Sequence, residues 1–267
     1  MKKVAVVIPF YQDKLSAYEE IALQQCEKVL ANHDKIAIKP IDFNLPAAAA
    51  GTVNFHQIVS FDNHYFTSIS GYNKLMLSAQ FYKAFLDYEY ILIYQMDCFV
   101  FSDQLNFWCS QKWDYIGAPW IKKTYHKSTL SLQFLKIKHH ITSRFNRADN
   151  TQPNQYQLHN QVGNGGFSLR KVKKFYDLSL LLRPTIEKYL SFEGNLYNED
   201  VFWSLEVNRE NRLLNIPDCE TALKFAIEVP PIKLRKLKIA DLPFGCHDWD
   251  HYLDYWKPVF QKLGYTI

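Results

Sequence analysis

No stretch of this 267-residue sequence reaches the roughly 20 apolar residues that a membrane-spanning helix needs. The N-terminus, Met1-Lys2-Lys3 followed by Val4 to Ile8, has the charge order of a secretory leader. Its apolar stretch is short and Pro9 ends it, so it reads as a first β-strand instead. Cys26, Cys98, Cys109, Cys219 and Cys246 form an odd set without a C-x-x-C spacing. Such a set argues for reduced thiols in a cytosolic protein and against a disulfide framework. Zinc-finger spacing, a recognition-helix pattern and an extreme pI are all missing, so nothing points to a nucleic-acid partner. No internal repeat, low-complexity tract or linker divides the chain.

What is present is core-forming material. The sequence is 48% hydrophobic and 22% charged, which suits one large domain spanning residues 1–267. Aromatics reach 16%, and such rings serve as stacking platforms in sugar-handling clefts as well as in cores. The net charge of +4 is modest. Two basic clusters stand out locally: Lys136, Lys138, His139, His140, Arg144 and Arg147, then Lys233, Arg235, Lys236 and Lys238. Either is an ordinary solvated face or a contact for anionic lipid or an anionic acceptor.

Periodicity gives a β-α-β opening. Val4 to Ile8 reads as a central parallel strand, Ser16 to Asn32 as a helix and Ile36 to Ile41 as a second strand. Ala47 to Gly51 reads as a small-residue loop and Tyr72 to Tyr88 as one helix. The run Tyr90-Ile91-Leu92-Ile93-Tyr94-Gln95-Met96-Asp97 is a buried strand leading to a single acid. Trp113 to Trp120 reads as a strand, Lys171 to Leu182 and Glu199 to Asn208 as helices, Ala222 to Val229 as a strand and Trp249 to Leu263 as a helix. Residues from Lys122 to Gln161 lack periodicity and read as a mobile lid over the acceptor side.

Four segments carry candidate chemistry: Gln95-Met96-Asp97, Gly163-Asn164-Gly165-Gly166, Asn198-Glu199-Asp200 and Phe244-Gly245-Cys246-His247. Singly, each has an ordinary structural explanation as a cap, a turn, a pair of first-turn acids or a structural histidine. As an ordered set they do not. With Asp114-Tyr115-Ile116-Gly117-Ala118-Pro119-Trp120 and Phe167-Ser168-Leu169-Arg170, the chain resembles the GT-A glycosyltransferases, in particular a bacterial family of uncharacterised GT-A-like proteins. That resemblance implies an α/β domain with a mostly parallel central sheet flanked by helices and a small antiparallel portion near the active site. Residues 1–120 would form the nucleotide half and 121–267 the acceptor half.

The same resemblance implies a D-x-D metal motif, here with Gln95 in place of the first acid and Asp97 as the second. His247 would complete the shell around Mn²⁺ or Mg²⁺. Asp200 would be the base of an inverting transfer and Glu199 an orienting or alternate acid. Pro9, Tyr11, Tyr72 and Lys74 would meet a nucleotide, with UDP the default, while Trp120, Asn164, Gly165 and Gly166 would meet sugar. The implied reaction moves a sugar from a UDP-sugar to a glycan or lipid-linked hydroxyl during surface polysaccharide assembly. The setting would be the cytoplasm, with peripheral contact at the inner membrane face through the basic clusters. Two other readings stay open: a nucleotidyltransferase, which normally shows a Gly-rich loop that Pro9-Phe10-Tyr11-Gln12-Asp13 lacks, and a non-catalytic carbohydrate-binding protein on the same fold, which Gln95 keeps alive. The oligomeric state is left undetermined.

Overall fold

The computed structural model describes residues 1–121, 148–149, 152–153, 155–230 and 241–267. Most of the expected lid and both basic clusters lie outside the described residues. The strands, in chain order, are β1 (Lys2–Pro9), β2 (Asp34–Pro40), β3 (Phe55–Phe61), β4 (Tyr88–Tyr94), β5 (Phe99–Val100), β6 (Tyr115–Gly117), β7 (Ala148–Asp149), β8 (Gln152–Pro153), β9 (Phe167–Lys171), β10 (Ala226–Ile227) and β11 (Gly245–Cys246). Six of them form the main sheet in the order β3-β2-β1-β4-β9-β6. The first four are parallel, and β9 and β6 continue antiparallel. A second sheet, β10-β11-β5, sits beyond the end of β4. This is the GT-A-like α/β architecture that the sequence resemblance implied.

The near-continuous apolar composition of β1 and β4 follows from burial on both faces. Alternate residues serve opposite sides. Val4, Val6, Ile8, Tyr90 and Leu92 pack into one core cluster, whereas Ala5, Val7, Ile91 and Ile93 pack into the other. Helix α1 (Ala17–Val29) begins at a capping box in which Ser16 Oγ accepts from Glu19 N and Glu19 returns the bond to the Ser16 N–H. All five cysteines are free, and Cys26, Cys98, Cys109 and Cys246 are buried. Among the described residues no helix is long and apolar enough to cross a membrane.

Four element boundaries differ from the sequence expectation. Ala47 to Gly51 belongs to a helix, α2 (Ala47–Thr52), because an alanine run propagates a helix at almost no side-chain cost. The single helix expected over Tyr72 to Tyr88 is two, α3 (Ile69–Met76) and α4 (Ala79–Lys83). Ser78 restarts it by accepting from Phe81 N, and Tyr88 is drawn into β4 by pairing with β1. The first half of the strand expected over Ala222 to Val229 is helix. After α5 (Leu105–Ser110), α6 (Val172–Leu181), α7 (Arg183–Tyr189) and α8 (Glu199–Ser204) comes α9 (Cys219–Phe225), capped by Asp218, and only Ala226–Ile227 is extended. Strand β3 was not anticipated: its interior residues are largely exposed, as befits an edge strand with a weak apolar signal. The chain closes with a 3₁₀ turn and α10 (Leu253–Lys262), whose Trp256 and Phe260 pack with Phe99 and Trp249 against the small sheet.

Candidate active site

Strand β4 ends at Tyr94, and the chain turns as Cys98 N donates to Gln95 O at 3.0 Å. Asp97 therefore sits in a turn between β4 and β5, at the carboxyl end of a parallel strand, where open α/β sheets bind ligands. β5 pairs antiparallel with β11, and β11 ends immediately before His247. That pairing closes the gap of 150 residues, leaving His247 Nε2 3.2 Å from Asp97 Oδ1 and 3.3 Å from Gln95 Oε1. Burial alone would lower the His247 pKa, but the Asp97 carboxylate outweighs it and raises it to about 9. Burial alone would raise Asp97, and the His247 charge turns the shift downward. Cys98 lies within reach of the same pair. Its Sγ donates to Gly166 O at 3.2 Å, and burial pushes its pKa well above the ordinary range.

A cavity of about 500 Å³ opens beside this pair, lined by Tyr11, Tyr72, Gln95, the Asn164-Gly165-Gly166 segment, Glu199, Asp200 and His247, among others. Gly165 and Gly166 make that convergence possible without any unusual backbone angle. A Cβ on Gly166 would meet His247 Nε2 and Gln95 Oε1, and one on Gly165 would meet Glu199 Oε1 and crowd Asp200. A larger cavity, about 900 Å³, opens elsewhere between the Asn160–Val162 segment and α9. Several of its polar walls are engaged: Asn208 Oδ1 accepts from the Leu213 and Leu214 amides, Asp218 caps α9 and Arg209 pairs with Glu206, whereas the Ser204 hydroxyl has no partner.

The two adjacent acids part company completely. Glu199 is buried, and its carboxylate receives both Arg170 Nη1 at 3.0 Å and Nη2 at 2.9 Å. Its own N–H is held by Asn73 Oδ1 from α3. Arg170 also donates to Tyr82, Ser168 and Gly165 O, so the guanidinium is fully used. Asp200 remains partly exposed at the cavity, accepting from the Val201 and Gly165 amides. Burial, followed by the nearby Glu199 charge, raises its pKa to about 7. A carboxylate poised there matches what a general base at neutral pH needs.

Several of the expected ligand-contacting residues are placed differently. Lys74 is exposed on α3 and does not line the cavity, because its neighbours Asn73 and Leu75 take the inward positions of the helix. Pro9 is buried in the β1–β2 ladder, and Tyr11, two residues on, is the one that reaches the cavity. Trp120 packs its ring over Gly163, where a Cβ would collide with it. The Asn164 side chain lines the cavity and also braces its wall: Oδ1 accepts from Gly166 N at 2.9 Å and Nδ2 donates to Glu228 Oε1 at 2.9 Å. Two further residues, Arg170 and Glu228, belong to the site without being evident from the motifs. Arg170 is a charge in a buried strand, a signal visible in the sequence. Glu228 is an acid ending an apolar pair, the same pattern that singled out Asp97.

Sheet order, the small second sheet and a cavity at the strand ends together define a GT-A-like fold. The galactosyltransferase LgtC, in complex with donor and acceptor sugar analogues, is similar in fold, with a TM-score of 0.51 and 13% identity over 91% of this chain and 86% of that one. Core-mannan synthase A from Aspergillus fumigatus, in a Mn/GDP form, gives a TM-score of 0.48 and 11% identity over 81% of this chain and 72% of that one. No curated protein matches the chain. The family model described as "Protein of unknown function (DUF5672)" matches residues 55–247, and the chain belongs to that family.

Proposed function

We propose that this protein is a metal-dependent glycosyltransferase that moves a sugar from a nucleotide-sugar, with UDP the default nucleotide, to a hydroxyl of a glycan or lipid-linked acceptor. The observation that carries the reading is the Asp97–His247 pair, 3.2 Å apart beside the cavity that also exposes Asp200. The pair fits a divalent cation. Two donors each about 2.1 Å from one ion, in neighbouring octahedral positions, lie about 3 Å apart. An imidazole and a carboxylate suit Mn²⁺ and accept Mg²⁺. Bound there, the cation supplies charge neutralisation for the departing diphosphate.

The remaining work falls to the chain itself. Tyr11 and Tyr72 offer ring surface for the base of the nucleotide, and Gly165 and Gly166 leave room for the sugar. Asp200 takes the acceptor hydroxyl proton as the new bond from acceptor oxygen to sugar carbon forms. The bond from that carbon to the diphosphate breaks, and the nucleoside diphosphate leaves with its electron pair. Attack opposite the leaving group inverts the carbon. Glu199, committed to Arg170, helps raise the Asp200 pKa through its charge and is not the base.

UDP release from a panel of UDP-sugars, with and without Mn²⁺, tests the reading. Mn²⁺-dependent release is expected. Nucleotide-sugar binding without release would mark a non-catalytic binding protein, and absence of both would reject the assignment. Asp97→Asn should raise the Mn²⁺ Kd at least tenfold and abolish the Mn²⁺-dependent part of UDP affinity. In wild-type protein, UDP–Mn²⁺ at about 100 times its Kd should add about 2.7 kcal/mol of stability, and Asp97→Asn should lose that increment in a thermal-shift assay.

A further inference from the structure

Two buried polar atoms at the end of the small sheet lack hydrogen-bond partners and belong to neighbouring side chains. They are Nδ1 of His247, which lies 3.9 Å from Glu228 Oε1, and Oε2 of the same Glu228 carboxylate. Buried polar groups are normally satisfied, so two neighbouring exceptions call for a physical reason. Topology explains why they are neighbours. β10 and β11 run parallel, with Ala226 opposite Gly245 and Ile227 opposite Cys246. The ladder continues as His247 N donates to Ile227 O at 3.0 Å, so residues 228 and 247 form the next pair, with side chains on one face. The same oxygen, Oε1, accepts from Asn164 Nδ2 at 2.9 Å, which holds the Glu228 carboxylate in place. Asn164 in turn fixes Gly166, the residue that must lack a side chain for His247 to approach.

We propose that Glu228 is a positioning residue for the metal centre: its carboxylate accepts the His247 Nδ1–H and so presents Nε2, together with Asp97, to a divalent cation. The proposal rests on the metal reading of the Asp97–His247 pair. A neutral imidazole carries one ring proton. If Nε2 is to give its lone pair to a cation, the proton must sit on Nδ1 and needs an acceptor there. Glu228 is placed to be that acceptor, and less than about 1 Å of side-chain movement separates 3.9 Å from an ordinary hydrogen-bond length. Metal-binding histidines are commonly held by a carboxylate in this way, and losing it typically costs 10–100-fold in metal affinity. Gln95 occupies the other side of the imidazole, 3.3 Å from Nε2, and so cannot fill this role.

The test is Mn²⁺ affinity of the full chain, measured by calorimetry with and without UDP, for wild type, Glu228→Ala and Glu228→Gln. Glu228→Ala should raise the Mn²⁺ Kd by about 10–100-fold while its melting temperature without metal stays near wild type. Glu228→Gln, whose amide oxygen still accepts from Nδ1–H, should stay within about threefold of wild type. Equal affinity in Glu228→Ala overturns the proposal, and so does a Glu228→Gln as weak as Glu228→Ala. Should Glu228→Ala not fold, the ring nitrogens of His247 in Zn²⁺-loaded wild-type protein decide the matter by NMR. Nε2 coordinated with a proton on Nδ1 supports it, and coordination through Nδ1 overturns it. Wild-type protein that binds no Mn²⁺ under either condition removes the metal reading itself and this proposal with it. Wild type that binds while Glu228→Ala binds as tightly removes this proposal alone.

Discussion

Asp200→Asn should lower turnover by about 10²–10⁴-fold while leaving nucleotide-sugar affinity at the wild-type value. A base acts on the proton that moves in the transition state, so its loss falls on kcat and spares ground-state binding. The amide is nearly the same size as the acid, and its one oxygen can keep the shorter bond, accepting from Val201 N, while the longer bond from Gly165 N to the other oxygen is lost. The pH dependence gives a second, independent readout. With its pKa raised to about 7, Asp200 is protonated below neutrality and inactive as a base, so kcat should rise with pH through about 7. Stability runs the other way. The folded protein holds this proton more tightly than the unfolded chain, so the group's favourable contribution is full below about pH 4 and is lost as pH rises toward about 7. Asp200→Asn should remove that slope from a stability-versus-pH series. Near-normal turnover in Asp200→Asn would overturn the assignment of the base.

The other large effect concerns the buried pair beneath Asp200. Arg170→Met should destabilise the protein by about 3–5 kcal/mol, because it strands the Glu199 carboxylate in a site with almost no water. Arg170 is fully buried, and its two bonds to Glu199, at 2.9 and 3.0 Å, leave that carboxylate no other strong donor. Burial alone would lower the pKa of Arg170. The Glu199 charge, ahead of Tyr82 and Tyr115, raises it instead, so the guanidinium stays charged in the core. Arg170→Met with Glu199→Met should recover most of the loss, since a well-packed apolar pair avoids the desolvation cost of both charges. Urea midpoints at unchanged m-value would measure both variants. The double variant should also shift the pH profile. Glu199 is the charge that, after burial, raises Asp200, so removing it should move the rising limb of kcat to lower pH. A single Arg170→Met variant within 1 kcal/mol of wild type would mean the pair is not desolvated in solution.

The sequence by itself determined the elements whose signal is local. The apolar runs of β1 and β4 are nearly continuous because both faces of the sheet are covered, and they can be read directly. The Ser16–Glu19 capping box marks the start of α1 within four residues. Asp97 could be singled out because a lone acid ends a buried run, and the ordered set of motifs pointed to the GT-A-like fold. Where the local signal was shared between structures, the reading failed. Ala222 to Ile227 is apolar enough for strand or helix, and a single cap at Asp218 decided for helix.

Only the tertiary structure decided how the site residues divide their work. Glu199 and Asp200 are adjacent and chemically alike, yet one is neutralised by Arg170 from β9 and the other is left at the cavity with its pKa near 7. Asn164, a sugar ligand by the sequence resemblance, also ties Gly166 to Glu228. Glu228 and His247 become neighbours through the β10–β11 register, and His247 meets Asp97 through the pairing of β11 with β5. The physical reason is common to all of these. A side chain's protonation and its free hydrogen-bonding capacity are set by groups within about 4 Å, and here those groups come from segments dozens of residues away in the chain.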